Sequence, residues 1–187
     1  MSQMEFLAKG KRGKVYLENG VATKFSQLFR VKNEVYWLKI LNKHKIGPKL
    51  VSYNENSFSY EFVKGIEILK WIENSNKKNI IKVLKKIISQ CEILDSLNVN
   101  KKEMNHPYKH ILISNNKPVM IDFERCKITK NPKNVNQFFQ FLMSSKISHL
   151  LKNKGVILQK KETQDLLKEY KKTRSKKKLN EFLNKLI

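Results

Sequence analysis

The stretch Pro118-Val119-Met120-Ile121-Asp122-Phe123 (PVMIDF) carries the most information about the fold of this chain. Its apolar run predicts a short extended strand that ends on a single carboxylate, Asp122. A carboxylate oxygen is the ligand that a hard divalent cation prefers. The strand therefore predicts that Asp122 binds a cation.

Three further elements precede this strand along the chain. Gly10 and Gly13 form a Gly-x-x-Gly pair between two predicted strands, where glycines let backbone N–H groups approach an anion that side chains would obstruct. Lys24 lies within the next apolar strand, and Glu34 lies in the first half of the helix that follows it. Each element alone has an ordinary explanation, because hairpins often need glycine, edge-strand lysines improve solubility and helix glutamates are mostly solvated.

Phosphoryl transfer from ATP needs such elements in this order: a backbone cradle for phosphates, a fixed cation, an anchor for that cation and a carboxylate for Mg²⁺. The order therefore predicts a site for ATP and Mg²⁺. Lys11 and Val15 would line the cradle beside the glycines. Lys24 would contact the phosphates, and Glu34 would hold Lys24 by an ion pair.

The composition is that of a globular protein. The chain has 187 residues, of which 40% are hydrophobic, enough for one domain or for two small lobes that share a core. No window approaches the roughly 18 consecutive apolar residues of a membrane span, and Met1–Glu5 lacks the features of a secretory signal. Cys91 and Cys126 lie in apolar contexts without metal-type spacing. We expect two reduced, buried thiols in a cytoplasmic protein.

The charge of the chain is strongly positive. Lysine and arginine total 39 against 16 aspartate and glutamate, which gives a net charge of +23 and a pI of about 10.0. Such a charge favours a polyanionic partner, either RNA or a ribonucleoprotein, or an anionic membrane surface. The segment Lys171–Lys178 concentrates it, and the basic region Lys160–Ile187 is the predicted RNA-facing element. A diffusely basic surface with no dedicated partner is the alternative.

The spacing of apolar residues predicts strands in the first third of the chain and helices after it. Asn19-Gly20 is a two-residue hairpin signal, because both residues tolerate positive φ, and Gly47-Pro48 ends the first helix. The predicted strands are 5–9, 13–18, 21–26, 49–53, 58–63, 111–114 and 119–121. The predicted helices are 29–44, 66–73, 79–97 and 134–151, followed by two basic amphipathic helices at the end of the chain.

Residues from about 6 to 126 resemble the small, atypical members of the protein-kinase superfamily. These include the RIO kinases, the compact kinase of the KEOPS tRNA-modification complex and predicted archaeal serine/threonine protein kinases. The segment 32–48 resembles the αC helix and the turn after it, and 60–65 resembles the hinge. Ile121-Asp122-Phe123 resembles the metal-binding Asp-Phe-Gly motif, with Glu124 in the glycine position.

The resemblance implies an α+β, protein-kinase-like, two-lobed fold. Residues 1–64 would form an N-lobe with a five-stranded antiparallel sheet and one αC helix. Residues 65–187 would form a reduced, mainly helical C-lobe with basic C-terminal helices, and the two would make one kinase-like domain. The backbone at Glu61 and Val63 would face the adenine of ATP.

The catalytic loop departs from the family pattern. Alignment on Ile111-Leu112-Ile113 places Asn105 at the position of the catalytic aspartate and His110 at that of the metal-binding asparagine. Alternatively, His106 is the loop histidine. Asparagine can orient a hydroxyl but cannot accept its proton, so Glu103 is a candidate for a displaced base. Glu124 is likewise a candidate for a second metal ligand.

Two function classes follow from the motifs and the resemblance. The first is an ATP- and Mg²⁺-dependent phosphotransferase of the atypical serine/threonine protein-kinase type, acting as a kinase or mainly as an ATPase beside RNA or a ribonucleoprotein. The second is a catalytically impaired pseudokinase that serves as a nucleotide-gated module for binding RNA or protein. A kinase for a saccharide or other small molecule is a weaker third reading, suggested by His110. A protein substrate is expected only for the first class, and no motif of a peptide-substrate platform follows Asp122.

Overall fold

The computed structural model describes residues 4–10 and 13–185 of the chain. They form an α+β structure whose chain divides into two compact units. The first unit consists of Met1–Gly65 and Val119–Cys126, and the second of Ile66–Pro118 and Lys127–Ile187. The predicted Asp122 strand therefore returns the chain to the first unit after an excursion into the second.

The first unit is built on a five-stranded antiparallel sheet, as the sequence predicts. Its strands occur in the spatial order β1-β2-β3-β5-β4. They are β1 (Glu5–Gly10), β2 (Gly13–Glu18), β3 (Val21–Phe25), β4 (Leu50–Tyr53) and β5 (Ser57–Glu61). Asn19 and Gly20 both have positive φ, at 49° and 77°, so the predicted two-residue hairpin between β2 and β3 is confirmed.

Among its described residues, the first unit has one α-helix. It is α1 (Leu28–Leu41), and a short 3₁₀ turn (Asn42–His44) extends it. Its buried apolar residues are Val31, Val35, Trp37, Leu38 and Leu41. The chain then turns at Gly47, where φ is 81° and an added Cβ would lie 2.8 Å from the Phe123 ring. Glycine is therefore needed at this turn both for its φ and for the close packing of Phe123.

The second unit is mainly helical. Its helices are α2 (Ile68–Glu73), α3 (Lys77–Ser96), α4 (Asn134–Leu142), α5 (Ser145–Asn153), α6 (Lys160–Thr173) and α7 (Lys176–Lys185). Its short strands are β6 (Ile66–Glu67), β7 (Val99–Asn100), β8 (Ile111–Ser114), β9 (Lys117–Met120) and β10 (Lys127–Ile128). The last two residues of β9 already belong to the first unit. The strands make sheets ordered β6-β8-β9 and β10-β7.

Helix α3 is the central element of the second unit. It begins at the N-cap Asn76, whose side chain accepts a hydrogen bond from the Asn79 N–H at 2.9 Å. The predicted apolar stripe of this helix is buried along its whole length. Its members are Ile80, Val83, Leu84, Ile87, Ile88, Cys91 and Leu94.

The prediction of one continuous helix over 134–151 is wrong. The chain breaks at Met143-Ser144 into α4 and α5. Ser144 is extended (φ −62°, ψ 146°), and its hydroxyl donates to the Phe141 carbonyl at 2.7 Å. Serine competes with the helical backbone by such local bonds, which favour a helix boundary. Apolar residues continue at helical spacing on both sides, so the break leaves no mark in the pattern.

Two further expectations concern the cysteines and a membrane span. Cys91 and Cys126 are both buried and neither forms a disulfide, as predicted. Burial also raises the pKa of the Cys91 thiol well above its ordinary value, as expected for an inert core cysteine. Among the described residues, no helix is both long and apolar enough to cross a membrane.

Candidate functional site

Lys24 lies in the middle of the sheet of the first unit. Strand β3 pairs with β2 on one side and β5 on the other, and Lys24 is opposite Val15 and Phe58. Its ammonium group lies 5.9 Å from the centre of the Phe58 ring. Lys24 is therefore a central-strand residue and not an edge-strand solubiliser, and its side chain is only 14% exposed.

Glu34 anchors Lys24. The Lys24 Nζ atom donates to Glu34 Oε2 at 2.8 Å, and the Glu34 side chain is 6% exposed. Burial alone would lower the pKa of Lys24, but Glu34 and Asp122 outweigh it and raise that pKa above its ordinary value. Burial raises the pKa of Glu34, while Lys24 opposes that rise. The helix glutamate is thus a buried partner of the lysine, and the ion pair expected from the order of the motifs is present.

Two more carboxylates surround the Lys24 ammonium. Asp122 Oδ1 lies 3.4 Å and Glu124 Oε2 lies 3.8 Å from Lys24 Nζ. Asp122 is the most exposed of the three, at 38% of its side chain, whereas Glu124 is 3% exposed. Asp122 has φ of 62°, in the left-handed region that aspartate visits rarely. Backbone held in this region is concentrated at functional sites, where the surrounding structure fixes it.

One face of α1 fixes the segment that carries Asp122. Its side chains bond to three positions of the segment: Phe123, Glu124 and Cys126. The bonds run from Arg30 Nη1 to Glu124 Oε1 (3.2 Å), from Asn33 Nδ2 to the Glu124 carbonyl, from the Phe123 N–H to Glu34 Oε1 (3.3 Å), and from Trp37 Nε1 to the Cys126 carbonyl (3.1 Å). Residues 30, 33, 34 and 37 share one helix face. The position of Asp122 therefore depends on where α1 lies.

The charges of this cluster are nearly balanced. Glu34, Asp122 and Glu124 each offer one carboxylate oxygen, and these oxygens lie within 4.8 Å of one another. Lys24 and Arg30 supply the two cations. Among the described residues this is the one group of three acidic, histidine or cysteine side chains with metal-ligand proximity, and it contains Asp122 but not His110. Oxygen ligands of this kind suit Mg²⁺.

Tyr60 is a half-buried residue near the cluster. It is the β5 residue opposite Ala22, and its ring lies 5.7 Å from that of Phe58. Burial, followed by the nearby Glu34 carboxylate, raises the pKa of Tyr60 from 10.0 to about 12. The phenol therefore stays neutral beside the carboxylates over the physiological range.

The glycine pair closes the β1–β2 hairpin, with Gly10 opposite Gly13. Lys11, assigned to the phosphate cradle, lies outside the described residues, as does Arg12. A Cβ added at Gly13 would lie 2.3 Å from the Phe25 carbonyl oxygen. Gly13 therefore has a steric role within the sheet.

The predicted hinge residues lie at the end of β5 and just beyond it. Glu61 is the last residue of β5, and its N–H donates to the Lys49 carbonyl at 2.9 Å. The Glu61 N–H therefore already has a hydrogen-bond partner within the first unit. The Glu61 carbonyl and the Val63 backbone remain the groups assigned to the adenine contact. Val63 follows β5 by two residues.

The residues assigned to the catalytic loop belong to the second unit. Asn105, His106 and His110 lie in turns between β7 and β8, and not on a helix. His106 is exposed. His110 is half-buried, and its backbone N–H donates to the Pro107 carbonyl at 3.0 Å. Glu103 lies 3.7 Å from the ammonium of Lys101, which is fully buried. Glu103 is thus paired with a cation inside its own unit.

The C-terminal helices α6 and α7 form as predicted. Leu179, Phe182 and Leu183 are buried and dock α7, while Leu186 and Ile187 lie outside the described residues. Arg174, counted among the RNA-facing cations, binds Asp95 at 3.2 Å and the Pro132 carbonyl at 2.9 Å. It is therefore a structural residue. The exposed lysines of this segment include Lys171, Lys172, Lys176 and Lys177.

Several residues of the cluster were missed or underrated from the sequence. Arg30 and Asn33 were not assigned any role, and Glu124 was only a candidate for a second metal ligand. The available signal was positional: Arg30, Asn33 and Glu34 lie three and four residues apart, on one face of a helix that also carries buried apolar residues. Polar residues on such a face must find partners in the fold.

Comparison with known proteins gives a partial relationship to an archaeal protein. No protein-family model matches the chain. It is similar to the uncharacterized protein MJ1211 of Methanocaldococcus jannaschii, with 34% identity over 74 residues. The matched region covers 40% of this chain and 63% of that protein, so the chain spans less than two thirds of its relative's length. The name of the relative assigns no activity to it.

Proposed function

We propose that this protein binds ATP together with Mg²⁺ at the Lys24–Glu34–Asp122 cluster, as an atypical kinase or ATPase of the protein-kinase type. The observation that carries the proposal is the Lys24–Glu34 ion pair at 2.8 Å, with the exposed carboxylate of Asp122 3.4 Å from the same ammonium. A lysine held in a sheet by a buried glutamate is a fixed cation. Such a cation can orient phosphates without losing side-chain entropy on binding.

Each residue of the cluster has a chemical role in this proposal. Lys24 remains protonated, since its pKa is raised, and it neutralises charge on the phosphates. Glu34 holds Lys24 and the Phe123 N–H at the same time. Asp122 and Glu124 are the residues that would hold Mg²⁺, which when bound supplies positive charge to the phosphoryl group as it is transferred. The three clustered carboxylate oxygens fit such an ion.

The reaction type depends on the proton acceptor. The segment 101–110 contains no aspartate, and its single carboxylate, Glu103, is paired with Lys101. Phosphoryl transfer relies chiefly on positioning and charge neutralisation, so loss of the base slows the reaction more than it abolishes it. Slow kinase or ATPase activity is therefore the primary proposal. The missing aspartate favours a pseudokinase as the second candidate.

The partners proposed are a phosphate acceptor, either a protein or a small molecule, and RNA or a ribonucleoprotein. The support for RNA is the net charge of +23 and the exposed lysines of α6 and α7. A cytoplasmic location agrees with two buried cysteines that form no disulfide. The membrane-surface alternative has no separate observation in its favour.

The proposal is tested by nucleotide-induced thermal stabilisation. ATP with Mg²⁺ should stabilise the wild type, and Lys24→Ala should weaken nucleotide binding at least about tenfold, equivalent to roughly 1.4 kcal/mol. Lys49→Ala is the matched control, because Lys49 forms an ion pair with Glu61 in the same unit and both side chains are exposed. Equal stabilisation of the wild type, Lys24→Ala and Lys49→Ala would show that the cluster is not the ATP site. Release of phosphate from ATP, measured with and without RNA, separates an enzyme from a pseudokinase.

A further inference from the structure

A groove lies on the first unit between α1 and the end of β4, apart from the carboxylate cluster. Its volume is about 240 Å³, and its floor is formed by Val31 and Val35. Tyr36 on α1 and Tyr53 on β4 line its walls. These two residues are 47% and 54% exposed.

Lysines flank both tyrosines. Lys32, Tyr36, Lys39 and Lys43 recur at intervals of four, three and four residues, and all four are exposed. At 3.6 residues per turn they form one stripe along α1 and the 3₁₀ turn after it. Lys39 donates to the Tyr53 hydroxyl at 2.5 Å and lies 4.0 Å from the centre of that ring. The stripe therefore places three lysines along the helix surface that carries Tyr36 and faces Tyr53.

Carboxylates are scarce around this groove. The one carboxylate on α1 is Glu34, which is buried on the face that meets the Asp122 segment. Glu55, in the turn after β4, is the acidic residue closest in sequence to Tyr53. Positive charge beside open aromatic rings is the pattern of a surface that holds phosphates and stacks bases.

We infer that this groove binds single-stranded RNA, with bases stacked on Tyr36 and Tyr53 and the phosphate backbone along Lys32, Lys39 and Lys43. The inference deepens the proposed RNA partner and rests on it, but it does not rest on the proposed ATP chemistry. It differs from binding by α6 and α7, whose exposed lysines can neutralise phosphates of any nucleic acid.

The chemistry favours a single strand over two other polyanions. Bases in a duplex are stacked on one another and cannot lie on protein rings without unpairing. An acidic protein segment would match the lysines, but it would gain little from two exposed tyrosine rings. The groove, at about 240 Å³, is also smaller than the about 300–1,000 Å³ of sites for drug-sized ligands, so it does not suit a whole cofactor.

The test measures fluorescence anisotropy of a 5′-fluorescein-labelled uridine dodecamer titrated with the full-length protein, without nucleotide. Tyr36→Ala and Tyr53→Ala should each weaken binding about fivefold or more, and the double variant more than tenfold. Tyr36→Phe with Tyr53→Phe keeps both rings and should bind within about twofold of wild type. Lys32→Gln with Lys43→Gln should lower the slope of log affinity against log salt by about 1.4, or about 0.7 for each phosphate contact.

Folding of every variant is checked by thermal denaturation. If an alanine variant unfolds, Lys32→Gln with Lys43→Gln still tests the groove, because both side chains are exposed and an unchanged salt slope would overturn the inference. A 12-base-pair RNA duplex and a decaglutamate peptide serve as competitors. Undiminished binding by Tyr36→Ala/Tyr53→Ala would show that the groove is not the RNA site, and so would a duplex that competes as well as the single strand. Neither result would contradict the proposal that the protein binds RNA. Failure of the wild type to bind the dodecamer at low salt would contradict both the groove as an RNA site and RNA as a partner. Binding of decaglutamate in place of RNA assigns the groove to an acidic protein segment and overturns the inference.

Discussion

Replacing Lys24 by methionine tests the electrostatics of the cluster directly. The Lys24 ammonium lies 2.8 Å from Glu34 Oε2, a separation at which two unit charges attract by about 6 kcal/mol at an effective dielectric constant of about 20. Desolvation offsets part of that attraction. Removal of one partner leaves Glu34 buried beside Asp122 and Glu124, so we expect Lys24→Met to lose about 3–5 kcal/mol of stability at neutral pH. For a chain of this length the melting temperature should fall by roughly 6–20 °C.

The loss should depend on pH. Burial raises the pKa of Glu34 above its ordinary value of 4.5, and Lys24 opposes that rise. Without Lys24, the pKa of Glu34 in the folded protein rises further above its value in the unfolded chain. A raised carboxyl pKa gives stability that is present below about pH 4.5 and is lost as pH rises through the folded value. The deficit of Lys24→Met should therefore be smaller at pH 5 than at pH 8, by about 1.4 kcal/mol for each additional unit of pKa shift.

Urea denaturation followed by tryptophan fluorescence measures this deficit. The chain has two tryptophans, and Trp37 lies on α1 in the first unit. A Trp71→Phe background leaves Trp37 as the reporter of that unit. Lys49→Met is the control, because the exposed Lys49–Glu61 pair should contribute less than about 1 kcal/mol. Equal losses in the two variants, or a Lys24→Met deficit identical at pH 5 and pH 8, would refute the electrostatic reasoning.

Three further predictions concern other parts of the chain. Gly13→Ala should cost about 1–3 kcal/mol in urea denaturation, since its Cβ would lie 2.3 Å from the Phe25 carbonyl; an unchanged stability would show that the sheet relaxes freely there. Asp95→Ala should lose about 3 kcal/mol and make α6 and α7 sensitive to limited proteolysis. Asp95 is 4% exposed and accepts bonds from Asn134, Val135, Tyr170 and Arg174, so an unaltered digestion pattern would contradict that role. Neutralising Lys171, Lys172, Lys176 and Lys177 to glutamine should weaken binding of structured RNA and flatten its salt dependence; equal affinities and slopes at two salt concentrations would refute an RNA-facing C-terminus.

The sequence was most informative where local signals agree. The turn at Asn19-Gly20, the five strands of the first unit and the apolar stripe of α3 follow from turn chemistry and periodicity. The pairing of Lys24 with Glu34 follows from their order on a strand and the next helix. In each case the chain nearby contains the physical cause.

Tertiary contacts explain what the sequence did not reveal. The bonds from Arg30, Asn33 and Trp37 reach a segment about 90 residues further along, and no local pattern records that distance. Arg174 looks like one more surface cation until its contact with Asp95 is seen. The break at Ser144 depends on one hydroxyl bond within an apolar periodicity that continues past it.

The most direct measurement of the central proposal is calorimetric titration of a non-hydrolysable ATP analogue into wild type and Asp122→Asn, with and without Mg²⁺. Asparagine has the same shape and tolerates the left-handed backbone at this position, where φ is 62°, so the variant changes the charge and little else. We expect Mg²⁺ to raise the affinity of the wild type at least about tenfold, or roughly 1.4 kcal/mol, and to have no such effect on Asp122→Asn. Binding that is independent of Mg²⁺ in the wild type, or equally dependent in both proteins, would contradict the assignment of Asp122 to the nucleotide–metal site.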